Sequence, residues 1–277
     1  MSEPSTLDSP LTEFVAHQYD DFQTILEALK KERKYLNYGY RKSRSDSYEQ
    51  KQEQLCTLVY DAARIEPHHT LIDVGFGSGE QDFLLAHRYP FAQLHGFNIA
   101  STQVEYARAR AAAADLKHLH FHHGQAENMA GMPDGQADRV MAVECAFYFD
   151  RPRFYKEAAR VLRPGGLLVL ADITFSDRLK FLTGMAADLE RVGYLGKNRQ
   201  SWELYFHTRR LESIHRETIP GAQETVAILL KMILKHFRWK ERQAWKTLWK
   251  MAVSTQITVI GFLTRLIRYD LIVLEKK

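Results

Sequence analysis

Only two cysteines occur in the 277 residues, Cys56 and Cys145. That is no disulfide framework, and it fits a reducing cytosol. No apolar run approaches the roughly 18–20 residues that span a bilayer. Charge of one sign is also scarce: the formal net charge is +4, without the concentrated basic stripe of a nucleic-acid-binding protein. Internal repeats and low-complexity tracts are missing. The first ten residues, Met1 to Pro10, are acidic and polar, unlike a secretory leader. The expectation is therefore a cytoplasmic protein with no transmembrane segment and no nucleic-acid partner. What the chain does have is apolar residues, 45% of the total. They are ample for the core of one elaborated domain or two small ones.

The most informative stretch is Leu71-Ile-Asp-Val-Gly-Phe-Gly-Ser-Gly79. An apolar strand leads to an acid, Asp73, and then to glycine at every second position. This is a tight turn at the carboxyl end of a buried strand, where a ligand can lie against bare backbone. A dinucleotide site needs its third glycine three residues after the second. Here that position is Glu80, whose carboxylate repels a pyrophosphate. The spacing is instead the Gly-x-Gly-x-Gly that follows an acid in S-adenosylmethionine (SAM) enzymes. SAM carries an ammonium and a sulfonium, which nearby acids attract. A glycine-rich turn with no ligand is the structural alternative.

Periodicity divides the chain. Residues 11–34 read as a helix with Leu11, Phe14, Val15, Tyr19, Phe22, Ile25, Leu26 and Leu29 on one stripe. A loop over 35–47 precedes a helix over 48–64. Strands at 70–74, 93–98, 118–123, 138–143 and 167–172 then alternate with helices at 79–88, 101–115 and 151–162. Pro164-Gly165-Gly166 makes the turn into the last of these strands. Such alternation predicts an α/β fold with a mostly parallel sheet covered on both faces. Beyond Phe175 the pattern predicts helices over 176–193, 198–212 and 222–265. Tyr269 to Leu274 reads as a plain strand.

Five motifs, in order, carry a resemblance. They are Leu71–Gly79, Gly96–Gln103, Gly124–Glu127, Glu144–Phe149 and Arg160–Gly166. Between residue 71 and about 175 the chain resembles a class I SAM-dependent methyltransferase of the small-molecule branch. That branch holds natural-product O-methyltransferases and the tocopherol- and sterol-type C-methyltransferases. The resemblance implies a Rossmann-like, seven-stranded sheet whose last strand is antiparallel. It implies an N-terminal helix and lid over 1–47 and a SAM-binding core over 48–175. A helical cap and substrate region over 176–266 is inserted after the fifth strand, and the terminal strand over 267–277 returns to the sheet.

The resemblance also implies roles. Asp73, Gly75, Gly77, Gly79 and Gln81 surround the methionine part of SAM, with Asp73 near the ammonium or only capping the turn. Asn98 stands where many relatives have an acid that grips the ribose. Ile99 and Gln103 complete that contact. Gln125 takes the place of an acid at the adenine amino group, and Ala126 offers its backbone N–H; Glu127 reads as a surface residue. Glu144 borders both cofactor and acceptor, as a base or electrostatic anchor or as a structural hydrogen-bonder. Tyr148 replaces a histidine common in the family and can orient an acceptor hydroxyl. Asp172 and His207 are further candidates for removing a proton. Tyr19 and Tyr38 belong to a lid in which Gly39 is the hinge, or they simply pack.

Strand alternation places His118, His120 and His122 on one face, but no Cys or acid completes a metal site there, and no metal is expected. The expected reaction is methyl transfer from SAM to a small apolar or aromatic acceptor, most naturally an oxygen nucleophile in specialised metabolism. A carbon acceptor in a prenyl diphosphate, sterol or related lipid is the first alternative, with Lys197, Arg209 and Arg210 facing either a diphosphate or solvent. The second is a membrane-surface protein that lays the basic, Trp-containing helix 226–252 on anionic lipid. Peripheral membrane contact, a monomer and a homodimer all stay open.

Overall fold

Five segments pair side by side because a largely buried backbone must satisfy its hydrogen bonds within a sheet. They are β1 (Thr70–Val74), β2 (Gln93–Asn98), β3 (Leu119–His123), β4 (Ala137–Val143) and β5 (Leu162–Phe175). The computed structural model describes residues 35–37, 39–43, 45–175, 200–203, 264 and 266–277. The expected helices over 11–34, 176–193 and 222–265 lie outside these, as do Tyr19, Tyr38 and His207.

The strands run in the order β3-β2-β1-β4-β5-β7-β6. The first five are parallel, and β7 (Ile267–Glu275) returns antiparallel beside β5. The sheet is thus mixed and Rossmann-like. Its outermost strand, β6 (Gln200–Glu203), pairs antiparallel with β7. That corrects the helix expected over 198–212: pairing along the free edge of β7 satisfies a row of backbone groups that a helix there would leave open. A second correction concerns β5, which already begins at Leu162. Pro164-Gly165-Gly166 is an irregularity within it, Gly165 having φ +78°. Gly165 N–H donates to Lys276 O at 2.9 Å and so ties the bulge to the end of β7.

Alternation along the strands sends side chains into two cores. On one face Leu71, Leu94, Met141 and Val169 pack against α1 (Tyr48–Ala63), α2 (Glu80–Arg88) and α3 (Ser101–Ala113). On the other Ile72, Val140, Ala142 and Leu170 pack against α4 (Arg151–Val161). Side chains cap two of these helices, α1 and α4. Ser47 and Gln50 form a reciprocal capping box at the head of α1. The buried Arg139 donates to the carbonyls of Ala63 and Arg64 at its tail. Asp150 caps α4, which carries proline in its first turn.

β1 lies between β2 and β4, so the chain leaves the sheet in opposite directions on its two sides. The carboxyl ends of those strands border a crevice, the usual ligand position in such sheets.

Candidate functional site

The crevice is a cavity bounded by the loop after β1, the ends of β2 and β4, the loop after β3, and the segment 35–37. Gly75, Gly77, Gln81, Asn98, Ile99, Gln103, Gln125, Ala126, Glu144 and Tyr148 all line it. So do Tyr35, Leu36, Asn37, Glu80 and Glu127.

The three loop glycines have positive φ, +70°, +60° and +83° in order, so none tolerates a β-carbon freely. Their surroundings differ. A β-carbon on Gly75 would meet Cys145 Cβ at 2.7 Å, so bare backbone there lets the β1 and β4 loops touch. One on Gly79 would meet Ala107 Cβ and Phe83 Cε2 at 3.2 Å, which makes this glycine a packing joint at the start of α2. One on Gly77 would find only Leu36 Cδ1, at 3.4 Å. The room beside Gly77 is therefore cavity.

Asp73 does not line the cavity. It is 1% exposed and sits behind Gln81, whose Nε2 donates to Asp73 Oδ2 at 2.5 Å. Donating through Nε2 leaves the Gln81 amide oxygen as the acceptor for a cation. Asp82, 0% exposed, lies beside Asp73. Among the described residues no N–H or hydroxyl reaches either oxygen of Asp82 or Asp73 Oδ1. Two adjoining buried carboxyls, one of them without any donor, do not both ionise. Burial raises both pKa values, that of Asp82 well above the ordinary range because the Asp73 charge adds to it, so Asp82 is the neutral member of the pair. The pair thus supplies about one negative charge behind Gln81.

Asn98 uses its amide to tie the site together. Nδ2 donates to Gly77 O at 3.1 Å and to Gln103 Oε1 at 2.8 Å, while Oδ1 accepts from Ala100 N at 3.4 Å. A carboxylate could not make the first of these bonds. Glu127, expected at the surface, instead borders the cavity, accepts from Asp150 N at 2.8 Å and has its pKa raised by burial.

At the opposite end, Glu144 follows β4 with φ +53°, an uncommon conformation for a residue with a β-carbon. Its Oε1 accepts from Tyr269 Oη at 2.6 Å. Tyr148, in the 3-10 turn Ala146–Tyr148, packs on Phe147 with ring centroids 4.0 Å apart. Asp172 is 1% exposed and not part of the cavity wall. It pairs with Arg151 at 3.4 Å and accepts from Ile173 N at 2.7 Å. Burial outweighs Arg151 and pushes its pKa up to about 7. Its place is beneath the 146–148 turn rather than at a reacting atom.

The histidines of β3 lie away from the cavity. His120 and His122 stack on His95 of β2, and His95 Nδ1 is 3.1 Å from His122 Nε2. Burial is the main reason the pKa of His95 is lowered to about 4.

One cavity-wall residue, Tyr35, carried no signal of its own in the sequence. Tyr35 and Asn37 are placed by Gln52 of α1, whose Nε2 donates to their carbonyls at 3.0 and 2.6 Å. Gly39, at φ +84°, lets the chain turn against Lys51. Asp82 had a legible sign, an acid at a helix position whose neighbours face the sheet.

The wall fits a nucleoside that bears positive charge. It offers bare backbone at Gly77, a carboxyl pair behind an acceptor amide, and further amides at Asn98, Gln103 and Gln125. Glu80, at the head of α2, is paired with Arg110, so that guanidinium is not available to a phosphate.

Comparison with known proteins agrees with this chemistry. Residues 72–170 match the family described as a methyltransferase domain. The 27-O-demethylrifamycin SV methyltransferase of Amycolatopsis mediterranei is 31% identical over 193 residues, 69% of this chain and 68% of that protein. The erythromycin 3''-O-methyltransferase of Saccharopolyspora erythraea is 34% identical over 143 residues, 50% of this chain and 46% of that protein. The chain thus spans about half to two thirds of the length of these curated relatives. The solved geranyl diphosphate C-methyltransferase of Streptomyces coelicolor superposes with a TM-score of 0.68 over 98% of this chain and 100% of that one. At 13% identity that likeness speaks for the fold alone.

Proposed function

The chain belongs to the SAM-dependent methyltransferases, and from that premise we propose that it methylates an oxygen of a small apolar or aromatic acceptor in specialised metabolism. The observation that carries this reading is its similarity to two enzymes named for erythromycin and for 27-O-demethylrifamycin SV, the first of them named as an O-methyltransferase. Among the described residues no helix is long and apolar enough to cross a membrane. The membrane-surface alternative rested on helix 226–252, outside the described residues.

When bound, SAM supplies an electrophilic methyl group on a sulfonium. The chain's own work is then to hold, align and deprotonate. Gly77 leaves room for the methionine part, and Gln81, backed by the Asp73–Asp82 pair, accepts from its ammonium. Asn98 and Gln103 read the ribose, while Gln125 and Ala126 read the adenine. The segment 35–37, held over Gly77 by Gln52, acts as the root of a lid and keeps water out. Displacement at a sulfonium disperses charge, so alignment and water exclusion are the main contributions. An acceptor hydroxyl must lose its proton, and Glu144 is the carboxylate on the cavity wall that takes it. Tyr148 orients that hydroxyl.

Titration calorimetry with SAM and S-adenosylhomocysteine is the first test. Binding of both, followed by transfer of labelled methyl to the oxygen of phenols or alcohols, is expected. Label recovered on carbon would move the reading to the C-methyl alternative. No binding of either ligand would overturn the site.

A further inference from the structure

Glu144 is held from two sides. Its backbone N–H donates to Ala171 O of β5 at 2.8 Å. Its carboxylate receives the hydroxyl of Tyr269 at 2.6 Å. Tyr269 comes from β7, the strand that returns antiparallel, where it lies opposite Ile173. It is 4% exposed, so its hydroxyl cannot exchange Glu144 for water at low cost. Backbone in the left-handed region persists at a non-glycine residue only where its surroundings over-determine it, and such residues gather at functional sites. Here β5 and β7 supply that determination.

Resting on the reading of Glu144 as the base for the acceptor, we propose that Tyr269 is its positioning residue: the phenol hydroxyl fixes the Glu144 carboxylate on the cavity wall. Among the described residues, the other ionisable groups acting on the phenol are Asp172 and Cys56. Burial pushes the Cys56 thiol up, so it stays neutral and does not compete as an anion. The Tyr269 hydroxyl is itself held well above its ordinary pKa, first by burial and then by Glu144, so it donates across the working pH range. A hydrogen bond given to a carboxylate favours the ionised form. Tyr269 therefore keeps Glu144 ready to accept a proton, and does so from the far end of the sequence.

The test is a carbon-13 NMR titration of the full chain labelled at the glutamate carboxyls, with Glu144→Gln identifying the resonance. In Tyr269→Phe, Glu144 should titrate about one to two pH units higher than in the parent. Coincident titrations would overturn the proposal. A second measurement needs no change at Tyr269. The Tyr269 hydroxyl proton should be slow to exchange in the parent and should shift in Glu144→Gln; a resonance unmoved by that change also overturns it. Once an acceptor is in hand, Tyr269→Phe should raise the acid limb of the kcat/KM profile by the same interval and leave the Kd for SAM unchanged. The two levels fail differently. Glu144→Gln turning over at the parent rate would remove Glu144 as base while leaving the NMR result standing.

Discussion

Replacing Gly77 probes the cofactor cradle most directly, because the loop glycines are bare for different reasons. Gly77 has φ +60°, and an added β-carbon would touch only Leu36 Cδ1 at 3.4 Å. The left-handed conformation costs a residue with a β-carbon roughly 1–2 kcal/mol. Gly77→Ala should lose about that much stability and stay folded. At Gly75 the same change drives a β-carbon to 2.7 Å from Cys145 Cβ and 2.8 Å from its Sγ. Cys145 is buried and cannot retreat, so overpacking adds about 1–3 kcal/mol to the backbone cost. SAM binding should order the variants the other way. A methyl on Gly77 enters the cavity and should weaken SAM at least about tenfold, equivalent to about 1.4 kcal/mol. Gly77→Arg fills that space and should abolish binding. Urea denaturation reads the first quantity and calorimetry with SAM the second. A folded Gly77→Arg protein that binds SAM with the parent Kd would refute the cradle, since the ligand would then not cross that space.

Other expectations can be checked in the same way. Glu144→Gln should lower kcat by roughly 100-fold or more with SAM affinity intact; equal rates would leave Glu144 a purely structural group. Asp172, raised by burial to about 7, favours folding most when protonated. Its contribution is full below the unfolded value near 3.8 and is lost as pH rises through about 7. Asp172→Asn should remove this trend, so the stability difference between variant and parent should shift in the variant's favour by at most about 4 kcal/mol from pH 4 to 8; parallel denaturation curves would contradict it. Gln52→Ala frees the carbonyls of Tyr35 and Asn37 and should speed SAM release several-fold in stopped-flow measurements, with an unchanged rate arguing against the segment as a cover.

Much of the core was legible because its signals are local. The strand at 70–74 and the helix starting at 48 follow from the local pattern of apolar residues. Pairings across long sequence distances were not. The strand at 200–203 exists because β7 offers an edge, and nothing within Gln200–Glu203 announces that. The bulge at Pro164–Gly166 has its reason in Lys276, more than a hundred residues away in sequence, so a turn before the strand was the natural reading.

The same division runs through the site. The letters alone located the bare backbone at the end of the first strand, because turns with positive φ favour glycine and glycine is visible as a letter. The sequence also determined the family, and with it SAM. Which acids face the cavity and which lie behind it follows from the folded packing. Asp73 and Glu144 are both acids at the ends of strands, but Asp73 is sealed behind Gln81 beside a neutral Asp82, whereas Glu144 meets the cavity and is gripped by Tyr269. Charge state and reach depend on burial and on partners distant in sequence, and those exist only once the sheet has closed around them.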